Sequence, residues 1–351
     1  MNLLHAKPKI AGWLGAVLCV TLPGGTVMAQ QPSLYAQGKQ AFAAQRYAEA
    51  AKLFDASAVA KEQATYPEAA DALLMEGRCL ADVSDLAGAE RVLKTYLEQN
   101  VRSASALYLL GYVLQRANKP KESLQMFTRA AAIRTPVAED LRIVALDYVL
   151  LDDYADAIRW LKMAVQNDPK NADAWYALGR SQMTQGNFVA AQQAFDRVLS
   201  IHPADVKALN NLGLSYEAQN RTADALHAYA RAVAAQQGTN HPSEQPLLNY
   251  GTLLISQNRI ADAIAALEPA IRIAPKDAKC HEELARAYQQ ANRLSEAQQQ
   301  LEQAVALDPK NPRLHYQLGR LYQHAGLAEK ARAELELSAK LYGTHSTPAV
   351  K

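Results

Sequence analysis

A repeat of 34 residues constrains the fold of this chain more than any other feature of its 351-residue sequence. When Gly179 is aligned with Gly213, Leu178 falls on Leu212. The frame extends in both directions and gives nine units, each with a small residue at its eighth place. Repeats of about 20 to 50 residues stack on their neighbours, which predicts one elongated stack rather than separate domains. The eighth places are Gly38, Gly77, Gly111, Ala145, Gly179, Gly213, Gly251, Ala285 and Gly319.

Two amphipathic helices are predicted in each unit. In one unit Leu209, Leu212 and Tyr216 recur at i, i+3 and i+7, which is the spacing of a helix face. Twelve residues after each eighth place comes a second small residue, and a larger side chain at either place would hold the two helices apart. A segment such as His202-Pro203 then ends the second helix. The second small residues are Ala50, Ala89, Ser123, Ala157, Ala191, Ala225, Ala263, Ala297 and Ala331.

This pattern resembles the tetratricopeptide repeat family over about residues 31–342. The resemblance implies an all-α fold, a right-handed α-solenoid of about nine helix-turn-helix repeats, whose concave face holds peptides or partner domains. The predicted units start near residues 31, 70, 104, 138, 172, 206, 244, 278 and 312. One unit carries the whole family skeleton, namely Trp175, Leu178, Gly179, Phe188, Ala191, Phe195 and Pro203.

Two connections are longer than the period allows. One runs around Ala58 to Tyr66, and the other from Gln236 to Ser243. The second is rich in glycine, asparagine, proline and serine, so we expect a surface loop that is the natural hinge or proteolysis site.

The first 29 residues have the features of a secretory signal peptide. Lys7 and Lys9 precede an apolar run of 13 residues, and Val27-Met28-Ala29 offers small side chains for cleavage after Ala29. A permanent membrane anchor is the alternative, but a bilayer core needs roughly 20 apolar residues. We therefore expect no stable membrane span after cleavage, a solenoid over residues 30–342, a polar tail over residues 343–351, and a periplasmic or secreted location.

The charge of the processed chain argues against nucleic-acid binding. Removing residues 1–29 takes away Lys7 and Lys9 and no acidic residue, which leaves 35 basic and 35 acidic side chains. A neutral chain without a basic block lacks the electrostatic footprint of a nucleic-acid-binding protein. Cys79 and Cys280 lie about six repeats apart, too far for a disulfide.

No catalytic residues, metal ligands or cofactors are predicted, and we do not expect an enzyme. His281-Glu282 begins like a zinc-protease helix, but Ala285 stands where the second histidine is needed. His281 and His315 occupy equivalent places in consecutive units, yet no third ligand accompanies them at ligand spacing. Packed histidines are the better interpretation.

Candidate ligand-binding residues lie on the first helix of each unit. The fifth and ninth places are four residues apart and are expected off the buried stripe, facing the concave groove. They hold six basic residues, five tyrosines and one acidic residue, Glu282. Arginine binds carboxylates through two hydrogen bonds and tyrosine offers a rigid apolar face, so the groove is predicted to bind acidic, partly apolar segments. The alternative is that the arginines pair with nearby acids such as Asp173 and Glu139. The candidates are Tyr35, Lys39, Arg78, Tyr108, Tyr112, Arg142, Tyr176, Arg180, Arg286, Tyr316 and Arg320.

These features predict a non-catalytic scaffold or adaptor that binds proteins or peptides. A self-assembling structural component of an envelope, secretion, pilus or polysaccharide complex is the alternative. Only residues 343–351 follow the last predicted helix, so Leu335, Leu337 and Leu341 are expected to face a partner and to allow oligomerisation.

Export is testable by N-terminal sequencing of the protein from its native cell. We expect the mature chain to begin at Gln30, because the small residues before it suit signal peptidase. Recovery of an intact Met1 from a soluble cytoplasmic fraction would contradict the signal peptide.

Overall fold

The computed structural model describes residues 32–345, and every regular element in this part of the chain is helical. The predicted signal peptide, its cleavage site after Ala29 and residues 346–351 of the polar tail lie outside the described residues. Within them no helix is both long and apolar enough to cross a bilayer. The helices are α1 (Leu34–Ala43), α2 (Tyr47–Val59), α3 (Ala72–Asp82), α4 (Leu86–Gln99), α5 (Ala104–Arg116), α6 (Pro120–Ala131), α7 (Ala138–Leu150), α8 (Tyr154–Asn167), α9 (Ala172–Thr184), α10 (Phe188–Ile201), α11 (Val206–Ala218), α12 (Thr222–Ala235), α13 (Gln245–Ser256), α14 (Ile260–Ile273), α15 (Ala278–Gln290), α16 (Leu294–Leu307), α17 (Pro312–His324) and α18 (Ala328–His345).

The helices form antiparallel hairpins, which confirms the prediction of an all-α fold of about nine helix-turn-helix repeats. Small residues at the two predicted places allow the two helices of a hairpin to approach. A Cβ on Gly179 would lie 2.6 Å from the Phe195 ring, and Ala191 is fully buried beside them. Across the first hairpin, Gly38 meets Phe54 in the same way. The paired small residues therefore set the distance between the two helices of each hairpin.

Local sequence fixes where the helices begin and how each hairpin turns. Asn171 and Asp205 accept the backbone N–H three residues later, at 2.9 and 2.8 Å, and so cap the first helices α9 and α11. Each hairpin turn contains one residue in the left-handed region at the fifteenth place of its unit. Only glycine, and next to it asparagine and aspartate, adopts this conformation readily. These residues are Gln45, Ser84, Asn118, Asp152, Gly186, Asn220, Asn258, Asn292 and Gly326.

The chain divides into two compact units, with the division inside α3 between Glu76 and Gly77. In the N-terminal unit, α1 packs on α2, and the carboxylate of Glu62 accepts the N–H groups of Leu34 and Tyr35 and the hydroxyl of Ser57. Desolvation opposes ionisation of Glu62, but these hydrogen bonds hold its pKa below the usual value. The long connection after α2 thereby caps the start of α1. A single continuous solenoid over residues 30–342 stays a prediction.

Neighbouring hairpins of the C-terminal unit stack in sequence order. The second helix of each contacts the first helix of the next, as α8 does α9 and α10 does α11. The first helices also contact one another, from α5 through α7, α9, α11 and α13 to α15. One surface of this unit is therefore built from first helices that lie side by side from α5 to α15.

The long connection after α12 is exposed from Gln237 to Pro242, as predicted for a surface loop. It is nevertheless ordered by Gln236, whose Oε1 accepts the Ser243 N–H at 3.0 Å and whose carbonyl accepts the Thr239 hydroxyl at 2.9 Å. The next hairpin contains Pro269 in the interior of α14. A proline there removes one helical hydrogen bond and costs about 3 kcal/mol.

A buried carboxyl group lies between the third and fourth hairpins. Asp147 on α7 is fully buried, and the hydroxyl of Ser123 on α6 is 2.5 Å from its Oδ2 and 2.8 Å from the Gly111 carbonyl. Burial raises the pKa of Asp147 to about 7, although the bond to Ser123 acts in the opposite direction. The neutral acid can donate to the Ser123 hydroxyl while that hydroxyl donates to Gly111. Ser123 is one of the predicted small residues, and its hydroxyl gives the carboxyl its partner.

Stability is therefore expected to fall with rising pH. The pKa of Asp147 is higher in the folded than in the unfolded protein, so its contribution to the free energy of unfolding is complete below about pH 4 and is lost as the pH rises through about 7. The loss amounts to up to about 4 kcal/mol. In Asp147→Asn the side-chain amide keeps a neutral hydrogen-bond donor that does not titrate, so the decrease in unfolding free energy with pH should become smaller. Urea unfolding at pH 5 and pH 8 measures it, with Asp152→Asn in the exposed turn of the same hairpin as the control. An equal pH response of the protein and its Asp147→Asn variant would contradict this role.

Candidate functional site

The outward surface of the first helices carries the ninth place of each unit. In the C-terminal unit we call these side chains the ninth-place row, and all of them are exposed or half-buried. Lys39 occupies the same place in the N-terminal unit and is exposed. The prediction that ninth places lie off the buried stripe is therefore confirmed. The row consists of Arg78, Tyr112, Leu146, Arg180, Leu214, Thr252, Arg286 and Arg320.

The same expectation was wrong for several fifth places. Tyr35 and Tyr108 are only 7% and 6% exposed, and their rings lie 5.4 and 5.7 Å from those of Phe54 and Phe127 on the second helices. The fifth place precedes the small eighth place by three residues, so both lie on the helix face that meets the second helix. These tyrosines are part of the hydrophobic core. Tyr176 is half-buried against Phe195, whereas Tyr316 in the last hairpin is 50% exposed.

Half of the six candidate basic residues already pair with carboxylates. Arg142 lies 2.5 Å from Glu139, Arg286 lies 2.6 Å from Glu283, and Arg78 lies 3.8 Å from Asp82. These three residues therefore show the internal pairing that was the alternative, and their part in ligand binding stays a prediction. Lys39, Arg180 and Arg320 have no carboxylate within 4.0 Å among residues 32–345.

The two arginines without a carboxylate follow a tyrosine by one helical turn. Tyr176 precedes Arg180 on α9, and Tyr316 precedes Arg320 on α17, so the two side chains of each pair are neighbours along the helix. The side-chain amide of Asn211 on α11 donates to the Tyr176 hydroxyl at 2.9 Å and holds the ring beside Arg180. Burial raises the pKa of Tyr176, so it stays a neutral phenol. Each pair offers a guanidinium for a carboxylate and an aromatic ring for an apolar side chain.

A buried ionic network joins α15 to α17 beside the row. Glu282, the one acidic fifth-place residue, is 6% exposed and accepts hydrogen bonds from Lys279 and Gln317 at 3.0 Å. Its carboxylate also pairs with Arg313. Burial opposes ionisation, but these partners keep the pKa of Glu282 below its usual value. Glu282 thus neutralises local positive charge and joins consecutive first helices.

The equivalent histidines are packed, as the sequence predicted. The His281 ring nitrogens lie 2.7 Å from Gln300 Oε1 and 3.1 Å from the Pro275 carbonyl. Those of His315 lie 2.6 Å from Glu334 and 3.0 Å from the Pro309 carbonyl. Each ring therefore joins its own hairpin to the preceding turn. Among residues 32–345 no three side chains of the metal-binding types are grouped closely enough to hold an ion.

Comparison with known families identifies the repeat. A family model described as tetratricopeptide repeat matches residues 35–99, 80–138, 145–206, 176–242 and 210–278. A second, described as TPR repeat, matches residues 285–326. Together they cover most of the described chain.

Individual relatives share the repeat over part of their length. Cellulose synthase operon protein C of Xanthomonas axonopodis pv. citri is 28% identical over 233 residues, which are 62% of this chain and 15% of that protein. Human protein O-mannosyl-transferase TMTC1 is 30% identical over 221 residues, 61% of this chain and 24% of that protein. The chain spans less than half the length of the curated relatives it matches. The solved C-terminal part of a TPR repeat-containing protein from Cytophaga hutchinsonii superposes with a TM-score of 0.55 at 19% identity, covering 68% of this chain and 96% of that one.

Proposed function

Because the chain belongs to the tetratricopeptide repeat family, we propose that it is an exported, non-catalytic scaffold that binds acidic, partly apolar segments of other proteins. The fold of this family is generally a protein-binding scaffold without catalytic groups. The proposed location is the periplasm or the extracellular space, on the strength of the signal-like residues 1–29. One relative is named for a cellulose synthase operon, which supports a role beside envelope or polysaccharide machinery.

The observation that carries this proposal is the pair of free arginines in the ninth-place row. Arg180 and Arg320 are exposed, have no carboxylate partner among the described residues, and each lies one turn after a tyrosine. A partner carboxylate can therefore bind either guanidinium without first displacing an internal acid. The remaining arginines of the row are held by Asp82 and Glu283, so they contribute less to binding. This restricts the proposed ligand contacts to the neighbourhoods of Tyr176–Arg180 and Tyr316–Arg320.

Charge reversal at these two arginines tests the proposal. We expect Arg180→Glu with Arg320→Glu to weaken binding of a fluorescein-labelled dodecapeptide, containing six glutamates and two phenylalanines, by roughly tenfold or more. Each exposed ion pair contributes up to about 1 kcal/mol, and reversal replaces attraction by repulsion. Fluorescence anisotropy at low and high salt measures the affinity, and salt should weaken binding to the unchanged protein.

The matched control reverses Arg91 and Arg231, which are exposed on the second helices α4 and α12. That variant should bind the peptide as the unchanged protein does. A second peptide with glutamine in place of glutamate should bind weakly to all three proteins. Equal binding by both double variants, or binding insensitive to salt, would exclude the ninth-place row as an acidic-ligand site.

Self-assembly through the C-terminal end is the second candidate function. In α18, which extends over 18 residues, Leu337 is 39% exposed. Leu335, by contrast, packs over Gly319 of α17 and belongs to the last hairpin. The equivalent of Leu337 one repeat earlier is Gln303. An exposed leucine where the preceding repeat has a polar residue favours contact with another surface.

Light scattering coupled to size-exclusion chromatography tests this second function. If copies associate through α18, Leu337→Lys with Leu341→Lys should convert an oligomer into a monomer, because burying a lysine in an apolar contact is costly. Gln303→Lys, at the equivalent place in α16, is the control and should leave the mass unchanged. An unchanged mass in both variants would leave the end of the solenoid as ordinary exposed surface.

A further inference from the structure

A cleft of about 510 Å³ lies where the 34-residue period is broken, between α12, α13 and α14. Gly238, Thr239 and Pro242 of the ordered 236–243 loop form one wall. Val233 and Leu247 add apolar surface from α12 and α13. Ligand pockets in proteins commonly measure about 300 to 1,000 Å³. The cleft contains no member of the ninth-place row, so it is a separate surface of the C-terminal unit.

Pro269 gives this cleft a chemical character that the other second helices lack. Because proline has no N–H, the carbonyl of Ala265, which also lines the cleft, lacks its usual helical donor four residues ahead. The equivalent places hold Arg197 in α10, Arg231 in α12 and Gln303 in α16, but Met163 in α8 and Leu337 in α18. Pro269 therefore puts an apolar ring where the preceding second helix has a guanidinium, and it leaves the Ala265 carbonyl without a donor from the helix.

Tyr250 of α13 supplies the complementary group. It lines the same cleft, and its hydroxyl has no hydrogen-bond partner within residues 32–345. Arg259 and Asp262 form an ion pair that also borders the cleft. Since these two charges neutralise each other, the cleft presents apolar surface together with the Ala265 carbonyl, the Tyr250 hydroxyl and the side-chain amide of Gln237.

We infer that this cleft binds an extended apolar segment of a partner protein, with a leucine or phenylalanine side chain between its walls. A backbone N–H of the segment donates to the Ala265 carbonyl, and a backbone carbonyl accepts from the Tyr250 hydroxyl. A peptide backbone provides donors and acceptors side by side along its length, which matches the two groups in the wall. A purely apolar molecule would leave both unpaired, and an unpaired buried polar group is costly. This second site takes an apolar anchor, in contrast to the carboxylate ligands proposed for the ninth-place row.

Pro269→Arg separates binding from folding. It introduces the side chain found at the equivalent places of α10 and α12 and gives Ala265 its N–H donor, so the melting temperature should rise while the cleft is obstructed. Random dodecapeptides displayed on phage are selected on the purified protein, and an enriched peptide is synthesised with a fluorescein label for anisotropy. We expect enriched peptides to share a leucine or phenylalanine, and Pro269→Arg to weaken binding tenfold or more. Gln303→Arg is the control, because it also replaces a neutral residue by arginine at the equivalent place of α16. It should leave the affinity for the peptide unchanged.

Backbone methylation of the selected peptide checks the hydrogen bond to Ala265. N-methylation should abolish binding at one position next to the apolar anchor and be tolerated at others. The proposal is overturned if no enriched peptide distinguishes the protein from its Pro269→Arg variant. It is equally overturned if the enriched peptides lose affinity with Arg180→Glu and Arg320→Glu but not with Pro269→Arg, since they would then bind the ninth-place row. The last comparison measures binding of indole, a small aromatic probe, to the protein and to its Pro269→Arg variant. If the substitution abolishes indole binding but weakens binding of no selected peptide, the cleft is a small-molecule pocket and the proposal is overturned.

Discussion

Contact between two helices at a pair of small residues is the interaction on which the other features depend. In the fifth hairpin the ring of Phe195 lies so close to Gly179 that even a methyl group would collide with it. A fully buried phenylalanine side chain stabilises a fold by roughly 1.5–3 kcal/mol, and a comparable contact recurs along the chain. No hairpin can bury both of its apolar faces alone, so each is completed by the next. The spacing inside one hairpin thus determines how the following hairpin packs.

The same geometry divides the first helices into buried and exposed places. A residue three places before the small residue turns towards the second helix, whereas a residue directly after it turns outward. For this reason Tyr108 packs against Phe127 while Arg180 remains exposed. The exposed candidate residues are consequently fewer than those selected by residue type alone. The buried Tyr35 and Tyr108 stabilise their hairpins, so the proposed binding residues are those of the ninth place, the half-buried Tyr176 and the exposed Tyr316.

Departures from the repeat give individual hairpins their distinct chemistry. Ser123 stands where most units have alanine, and its hydroxyl provides a partner for the buried Asp147. Glu282 stands where several units have an aromatic residue and bonds to Gln317 on the next first helix. The longer connection after α12 and the proline in α14 both line one cleft. In a repeat protein the shared residues specify the fold, so such exceptions are the natural places to look for function.

The sequence by itself determined the helices, their pairing and the packed histidines, because these follow from local patterns. Eighth-place glycines, helix caps and prolines act within one or two turns of the residue that carries them. The left-handed fifteenth place also has a local cause, since Asn118, Gly186 and Asn220 adopt this conformation readily. Tertiary structure decided which charged residues are joined across repeats. Arg286 pairs with Glu283 three residues away on its own helix, which sequence spacing can indicate. The carboxylate of Glu282, by contrast, reaches Arg313 and Gln317 on the next first helix. Such pairing depends on side-chain directions and on residues one repeat away, so a periodic pattern in one dimension cannot specify it.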